Sequence, residues 1–181
     1  MKTESNVMFV IRLTVTLLLI CVVMAAALGA VNQITEPMIA QIQYEKTQAA
    51  VSAVLEGGGN SVDFPETANV TSVYQGANGY AVEVTPAGFG GAITMMVGVD
   101  NEGNVTGISV IDHAETAGLG DVAAASTTAG ENFRAQFVGL SGTVSVTKDG
   151  GQVEAITSAT ITSRAICDGV NTALDCVKAM G

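Results

Sequence analysis

The chain has 181 residues, with seven Lys and Arg against seventeen Asp and Glu and a formal net charge of -10. An acidic chain without a basic patch repels a phosphate backbone, which argues against nucleic acid as a partner. Five Phe, three Tyr and no Trp leave few platforms for stacking large rings, and the length suits one domain plus an appendage.

The first expected element is a transmembrane helix. Residues 13–31 carry no charged side chain, and at a rise of about 1.5 Å per residue they cover roughly 30 Å, one hydrocarbon core. Lys2 and Arg12 precede the run, Glu36 follows it, and the next basic residue is Lys46. That asymmetry predicts a cell-membrane protein with a single pass, its N-terminus in the cytoplasm and the chain after Asn32 outside. A cleaved signal peptide is the competing reading, with Ala25-Ala26-Ala27 as the cleavage site, although the uncharged run exceeds a usual apolar signal core. A pilin-like start would want a Gly just before the run and an acid within it, and neither is there.

Thr35-Glu36-Pro37 reads as a helix start with Pro at the first position, opening a helix over residues 38–55. Gly57-Gly58-Gly59-Asn60 ends it as a flexible link. The expected layout is therefore a tail at 1–12, a membrane helix at 13–31, a linker helix and Gly-rich link at 32–60, and a globular domain at 61–181. Within that domain, strands are expected at 70–75 and 80–85 around Ala77-Asn78-Gly79, and at 92–99 and 105–111 around Asp100-Asn101-Glu102-Gly103. Val144 and Val146 suggest a fifth strand, and a short helix is expected at 131–138. Ile166, Val170, Leu174 and Val177 form one apolar stripe of a last helix starting at Thr162 or Ser163. The class is α+β, with a mainly antiparallel sheet closed by a helix. Cys167 and Cys176 fall about 13.5 Å apart along that helix, too far to pair with each other. No Cys-x-x-Cys pattern marks an iron–sulfur or zinc site, and no catalytic triad or acid pair stands out.

The most informative segment is Glu154-Ala155-Ile156-Thr157-Ser158-Ala159-Thr160-Ile161-Thr162-Ser163-Arg164, with five hydroxyl side chains between 157 and 163. Hydroxyls at a helix start are first of all caps, and Thr162 or Ser163 suits that role. Capping accounts for one or two of them. The free N–H groups and positive dipole end of the helix also suit a phosphate, and Arg164 could add charge-assisted hydrogen bonds.

This run resembles the flavinylation motif of the FMN-binding domain family shared by the G subunit of the Rnf complex and the C subunit of the sodium-pumping quinone reductase. The family pattern is Asp, two variable residues, Ser or Thr, Gly, Ala or Ser, then Thr. The chain matches at Thr157, Ala159 and Thr160 and departs at Glu154, where the family has Asp, and at Ser158, where it has Gly. If that position needs a positive φ, Ser158 is strained. His113-Ala114-Glu115-Thr116-Ala117-Gly118-Leu119-Gly120 is similar to the family's His-x-Glu-Thr-Pro-Gly-Leu-Gly loop, with Ala117 for Pro. Gly88-Phe89-Gly90-Gly91 is a weaker echo of a Gly-Tyr-Gly-Gly segment.

The resemblance implies FMN esterified through its phosphate to Thr160. It implies Glu115, Thr116, Gly118, Leu119, Thr157, Ser158, Ala159, Ile161 and Thr162 around the cofactor. It further implies a separate flavin transferase for maturation and other Rnf subunits as membrane partners. The activity implied is an electron relay in a complex that couples electron transfer between ferredoxin and NAD⁺ to Na⁺ or H⁺ translocation. A stand-alone membrane-anchored flavoprotein and a non-redox surface module are the alternatives. A role for His113 is left open.

Overall fold

The structure, a computed structural model, describes residues 3–180. Lys2, one of the two basic residues on which the expected orientation rests, lies outside the described residues. Helix α1 spans Thr3–Val54 and holds an apolar stretch long enough to cross a membrane. A new helix was expected at Thr35-Glu36-Pro37, but α1 continues through it with Pro37 inside. The Thr35 hydroxyl donates back to the carbonyl of Val31 at 2.9 Å, so it is a mid-helix residue and not a cap. Pro37 removes one rung of the helical ladder, and the bonds on either side carry the helix past it.

The chain divides into two compact units between Tyr44 and Glu45. The first is helix alone among its described residues. The second holds the last turns of α1 and every other element. Its centre is an antiparallel meander of β1 (Asn60–Val62), β2 (Val70–Gln75), β3 (Gly79–Val84), β4 (Thr94–Asp100) and β5 (Val105–Asp112), neighbours in that order. Helix α2 spans Thr128–Ala135 and α3 spans Thr160–Met180. The expected α+β class, with an antiparallel sheet and a closing helix, is the one observed.

Period-two alternation gives each strand two different faces. Val82, Val84, Met95, Val97 and Val99 point to one face and pack with Ile166, Val170, Ala173 and Leu174 of α3 in the main core. Ala81 and Met96 point to the other and pack with Ala50, Val51, Val54 and Leu55 at the end of α1. Strand β4 is buried on both faces, which explains its near-continuous apolar sequence. Cys167 and Cys176 are both buried free thiols on α3. Burial pushes the Cys167 thiol up to about 12, with the nearby Asp168 and Asp149 carboxylates adding to it.

Two further expectations change. The fifth strand is not at 144–146 but at Asn60–Val62. The N–H and carbonyl of Val144 are both taken by the Asn171 side chain of α3, each at 2.8 Å, so no ladder forms there. Only an isolated parallel bridge joins Val146 to Val153. The short helix α2 begins three residues earlier than expected, because the Thr127 hydroxyl caps it by accepting from the N–H of Gly130 at 3.3 Å.

The end of α1 docks in a notch of the sheet. Gly98 of β4 stands opposite Gly107 of β5, and the Thr106 hydroxyl donates to the carbonyl of Val54 at 2.6 Å. A Cβ at Gly98 would collide with that carbonyl. Gly98→Ala should therefore destabilise the folded unit by about 1–3 kcal/mol, read as a lower Tm in a calorimetric scan. An unchanged Tm would mean that the helix end shifts freely and that the notch is not a constraint.

Candidate functional site

Helix α3 starts at Thr160, two residues before the earliest expected start. Thr162 is therefore not a cap but lies in the first turn, buried. The five hydroxyls of the run divide their roles. Ser163 is fully buried. Its Oγ accepts from the N–H of Ile156 at 3.0 Å and donates to the carbonyl of Ala159 at 3.0 Å, which fastens the incoming loop to the helix. Thr162 donates to Glu115 Oε2 at 2.5 Å. Thr157 and Ser158 are exposed. Thr160 is half-buried and accepts from the Lys148 ammonium at 3.1 Å.

Ser158 stands at φ 63°, the left-handed region where the family pattern has Gly. The strain that the sequence made conditional on a positive φ is therefore present. The loop holds the residue there through the bond from Ala159 N–H to the Ile156 carbonyl at 3.0 Å and through Ser163.

Glu115 joins the three motif segments. Its Oε1 accepts from the N–H of Gly90 at 3.0 Å and its Oε2 from Thr162. A Cβ at Gly88 or Gly120 would collide with this carboxylate, and one at Gly90 would strike the Ala114 carbonyl. Those glycines are thus needed for close approach. His113 turns its Nδ1 inward to accept from the N–H of Glu115 at 3.2 Å, fixing the start of the loop.

Together these loops enclose a cleft of about 310 Å³ lined by Phe89, Glu115, Thr116, Leu119, Gly120 and residues 158–162. Eight of the ten site residues expected from sequence line it. Gly118 and Thr157 lie beside it, Gly118 at φ 74° in open space. Among the described residues beyond α1, four large apolar side chains are exposed, and three of them rim this cleft: Phe89 at 68%, Leu119 at 40% and Ile161 at 51%. A larger cleft of about 840 Å³ near the C-terminal end of α3 gathers none of the motif residues.

The charges differ from expectation at Arg164. Its guanidinium is engaged by Asp149 through two bonds, Nε to Oδ2 at 2.7 Å and Nη2 to Oδ1 at 2.8 Å. It is therefore not the cation that meets Thr160. The Arg164 hydrogen bond holds the Asp149 carboxyl below its ordinary value, and the charges of Arg164 and Lys148 act in the same sense. The cation at Thr160 is Lys148, which the motifs do not include. Its only sequence signal is its position six residues before Glu154 in a chain poor in basic residues.

A profile for the FMN-binding domain matches residues 88–175, which contain all three motif segments. The G subunit of an ion-translocating oxidoreductase complex from Methanosarcina acetivorans is 34% identical, covering 93% of this chain and 94% of that one. The chain belongs to this family of G subunits. The G subunit of a proton-translocating ferredoxin:NAD(+) oxidoreductase complex from Clostridium ljungdahlii is 30% identical over 95% of this chain and 92% of its own. That of a Na(+)-translocating ferredoxin:NAD(+) oxidoreductase complex from Acetobacterium woodii is 28% identical over 94% and 92%.

The residues present suit FMN. Apolar side chains from two loops and the first turn of α3 offer faces to a flat ring. The first-turn N–H groups of α3, which lack partners within the helix, suit a phosphate beside the Lys148 cation.

The strain at Ser158 is measurable. Ser158→Gly should stabilise the fold by about 1 kcal/mol, the relief of the left-handed backbone outweighing the extra freedom of Gly in the unfolded chain. Urea unfolding gives the sign, and a loss of stability would show that the Ser side chain holds this loop.

Proposed function

We propose that Thr160 carries FMN as a phosphoester and that the folded unit relays electrons within a membrane complex. The observation that carries this reading is the position of the Thr160 oxygen. It lies at the first turn of α3, inside the motif-lined cleft and beside a cation, while Thr162 and Ser163 are committed to protein partners. FMN, when bound, supplies a ring that takes up and releases electrons. The protein supplies the rest: Thr160 holds the phosphate end, the apolar rim orients the ring, and Glu115 ties its loop to the Gly90 loop and to the first turn of α3.

Attachment requires a separate flavin transferase using FAD and Mg²⁺. The Thr160 oxygen bonds to the phosphorus on the FMN side of FAD, the pyrophosphate P–O bond breaks and AMP leaves. The hydroxyl proton passes to a base of the transferase. The relatives named for ferredoxin and NAD⁺ support a complex that passes electrons between those two and moves Na⁺ or H⁺. In that complex this chain is a relay, joined to the other subunits in the membrane. Arg12 before the apolar run and Glu36 after it support an N-terminus in the cytoplasm and an FMN domain outside.

Thr160→Ala should abolish covalent FMN when the chain is produced with the transferase, since Ala offers no oxygen to esterify. Thr160→Ser should retain part of it. Intact mass of the denatured protein separates covalent from tightly held FMN. Covalent FMN persisting in Thr160→Ala would move the attachment to another hydroxyl or end the reading.

Orientation has its own test. Protease added to sealed, right-side-out cells should digest the chain beyond Asn32 and spare the N-terminal tail. Full protection of the FMN domain would reverse the orientation, and a mature chain starting near Leu28 would mean a cleaved signal.

A further inference from the structure

We propose that Lys148 is the counter-ion of the phosphate at Thr160: its ammonium guides attachment and then neutralises the phosphodiester that results. This rests on Thr160 being the attachment residue and adds a group that no motif residue supplies. The Lys148 Nζ lies 3.1 Å from the Thr160 Oγ that would bridge to phosphorus. Esterification replaces the hydroxyl hydrogen with a phosphorus that bears anionic oxygens, so the cation stands where the new charge appears.

The other cations of the second unit are occupied or distant. Arg164 is held in two bonds by Asp149. Arg134 donates to the carbonyls of Ala123 and Ala125 at 2.7 and 3.1 Å. Lys178 stands eighteen residues along α3 from Thr160, about 27 Å at helical rise. Lys46 belongs to the end of α1, which packs on the opposite face of the sheet from α3. In a chain of net charge -10, an anion added at the helix start without a local cation would add to the repulsion.

The backbone presents Lys148 on a tight turn. Thr147–Asp149 form one 3-10 turn, closed by Gly150 at φ 84°. Its neck is tied by Thr147 N–H to the Val153 carbonyl at 2.8 Å and Gly151 N–H to the Val146 carbonyl at 3.0 Å. A Cβ at Gly151 would collide with Ser145. Two adjacent residues of this turn reach α3 at positions four apart, Lys148 to Thr160 and Asp149 to Arg164. Positions four apart share one helix face. The Asp149–Arg164 pair therefore clamps the turn, and the clamp sets Lys148 beside the oxygen. Lys148 is exposed, so its pull on the phosphate is screened by salt.

The test uses the full-length chain in detergent with flavin transferase, FAD and Mg²⁺, following the mass gain of denatured protein over time. At low salt Lys148→Met should slow attachment about tenfold, the scale of one charge-assisted hydrogen bond. Lys148→Arg should recover to within about threefold of the unsubstituted chain, because it restores the charge with a different shape. Added salt should narrow the gap between Lys148→Met and the unsubstituted chain. In the attached protein, the ³¹P resonance of the phosphodiester should shift in Lys148→Met and stay near its place in Lys148→Arg. Attachment at the unsubstituted rate in Lys148→Met would overturn the proposal. So would equal slowing in Lys148→Arg, which would point to packing and not charge. A slower rate with an unshifted resonance would place Lys148 at the transferase surface and overturn it too. Absence of FMN from Thr160 in the unsubstituted chain would instead overturn the attachment reading beneath it.

Discussion

The Glu115 carboxylate accepts from two donors far apart in sequence, the Gly90 N–H and the Thr162 hydroxyl. A half-buried carboxylate is costly to hold without partners. Its two bonds therefore fix the distance between the Gly-rich loop before β4, the loop after β5 and the first turn of α3. The glycines at 88, 90 and 120 follow from that requirement, since a side chain at any of them would displace the carboxylate or its loop. The cleft is the space left between three segments pulled onto one acid. Its rim is apolar because Phe89, Leu119 and Ile161 are carried outward on those segments.

The hydroxyl run makes sense once its members are separated. A helix start needs one or two oxygen acceptors or donors to settle its loop. Here Ser163 does so from inside the helix by bonding back to Ile156 and Ala159. Thr162 is spent on Glu115. Two oxygens that look alike in the sequence, Thr160 and Thr162, thus stand in opposite situations. One is sealed against a carboxylate, and the other is accessible and faces a cation. The positive φ of Ser158 turns the chain so that Thr160 opens the helix toward the cleft. A family Gly at that position is what this backbone would favour, and Ser is tolerated at a cost of about 1–3 kcal/mol.

Much of this was legible in the residues. The apolar runs of β2 through β5 between their turns and the stripe of α3 made the elements and their class readable, because burial on one or both faces leaves its mark in the residue pattern. The cleft was legible because its residues lie in three short runs. Two of the misreadings, at Val144 and at Arg164, depended on a tertiary partner. Val144 and Val146 have strand-like residues, but Asn171, twenty-seven positions away, takes the backbone groups of Val144. Arg164 would stand in the first turn of a helix starting at Thr162, but α3 starts at Thr160 and Asp149 from another loop claims the guanidinium. Thr35-Glu36-Pro37 has the chemistry of a helix start, and the helix already running through it overrides that local preference. Lys148 carries no motif, so only the folded turn reveals what it faces.

The shape of the cleft bears on why a covalent bond would be used at all. A cleft of about 310 Å³ is at the lower end for small-molecule sites, and its apolar rim is open to solvent. A ring resting there would lose little of its surface to the protein and would exchange readily if held by contacts alone. Deepening the cleft would raise affinity, but it would also bury the ring edge that, on the proposed reading, a redox partner must approach. On the proposed reading, the Thr160 ester removes that conflict. Retention is assigned to one bond, and the cleft has only to orient the ring. The scarcity of aromatic side chains in the chain then follows, since no stacking enclosure is required of it.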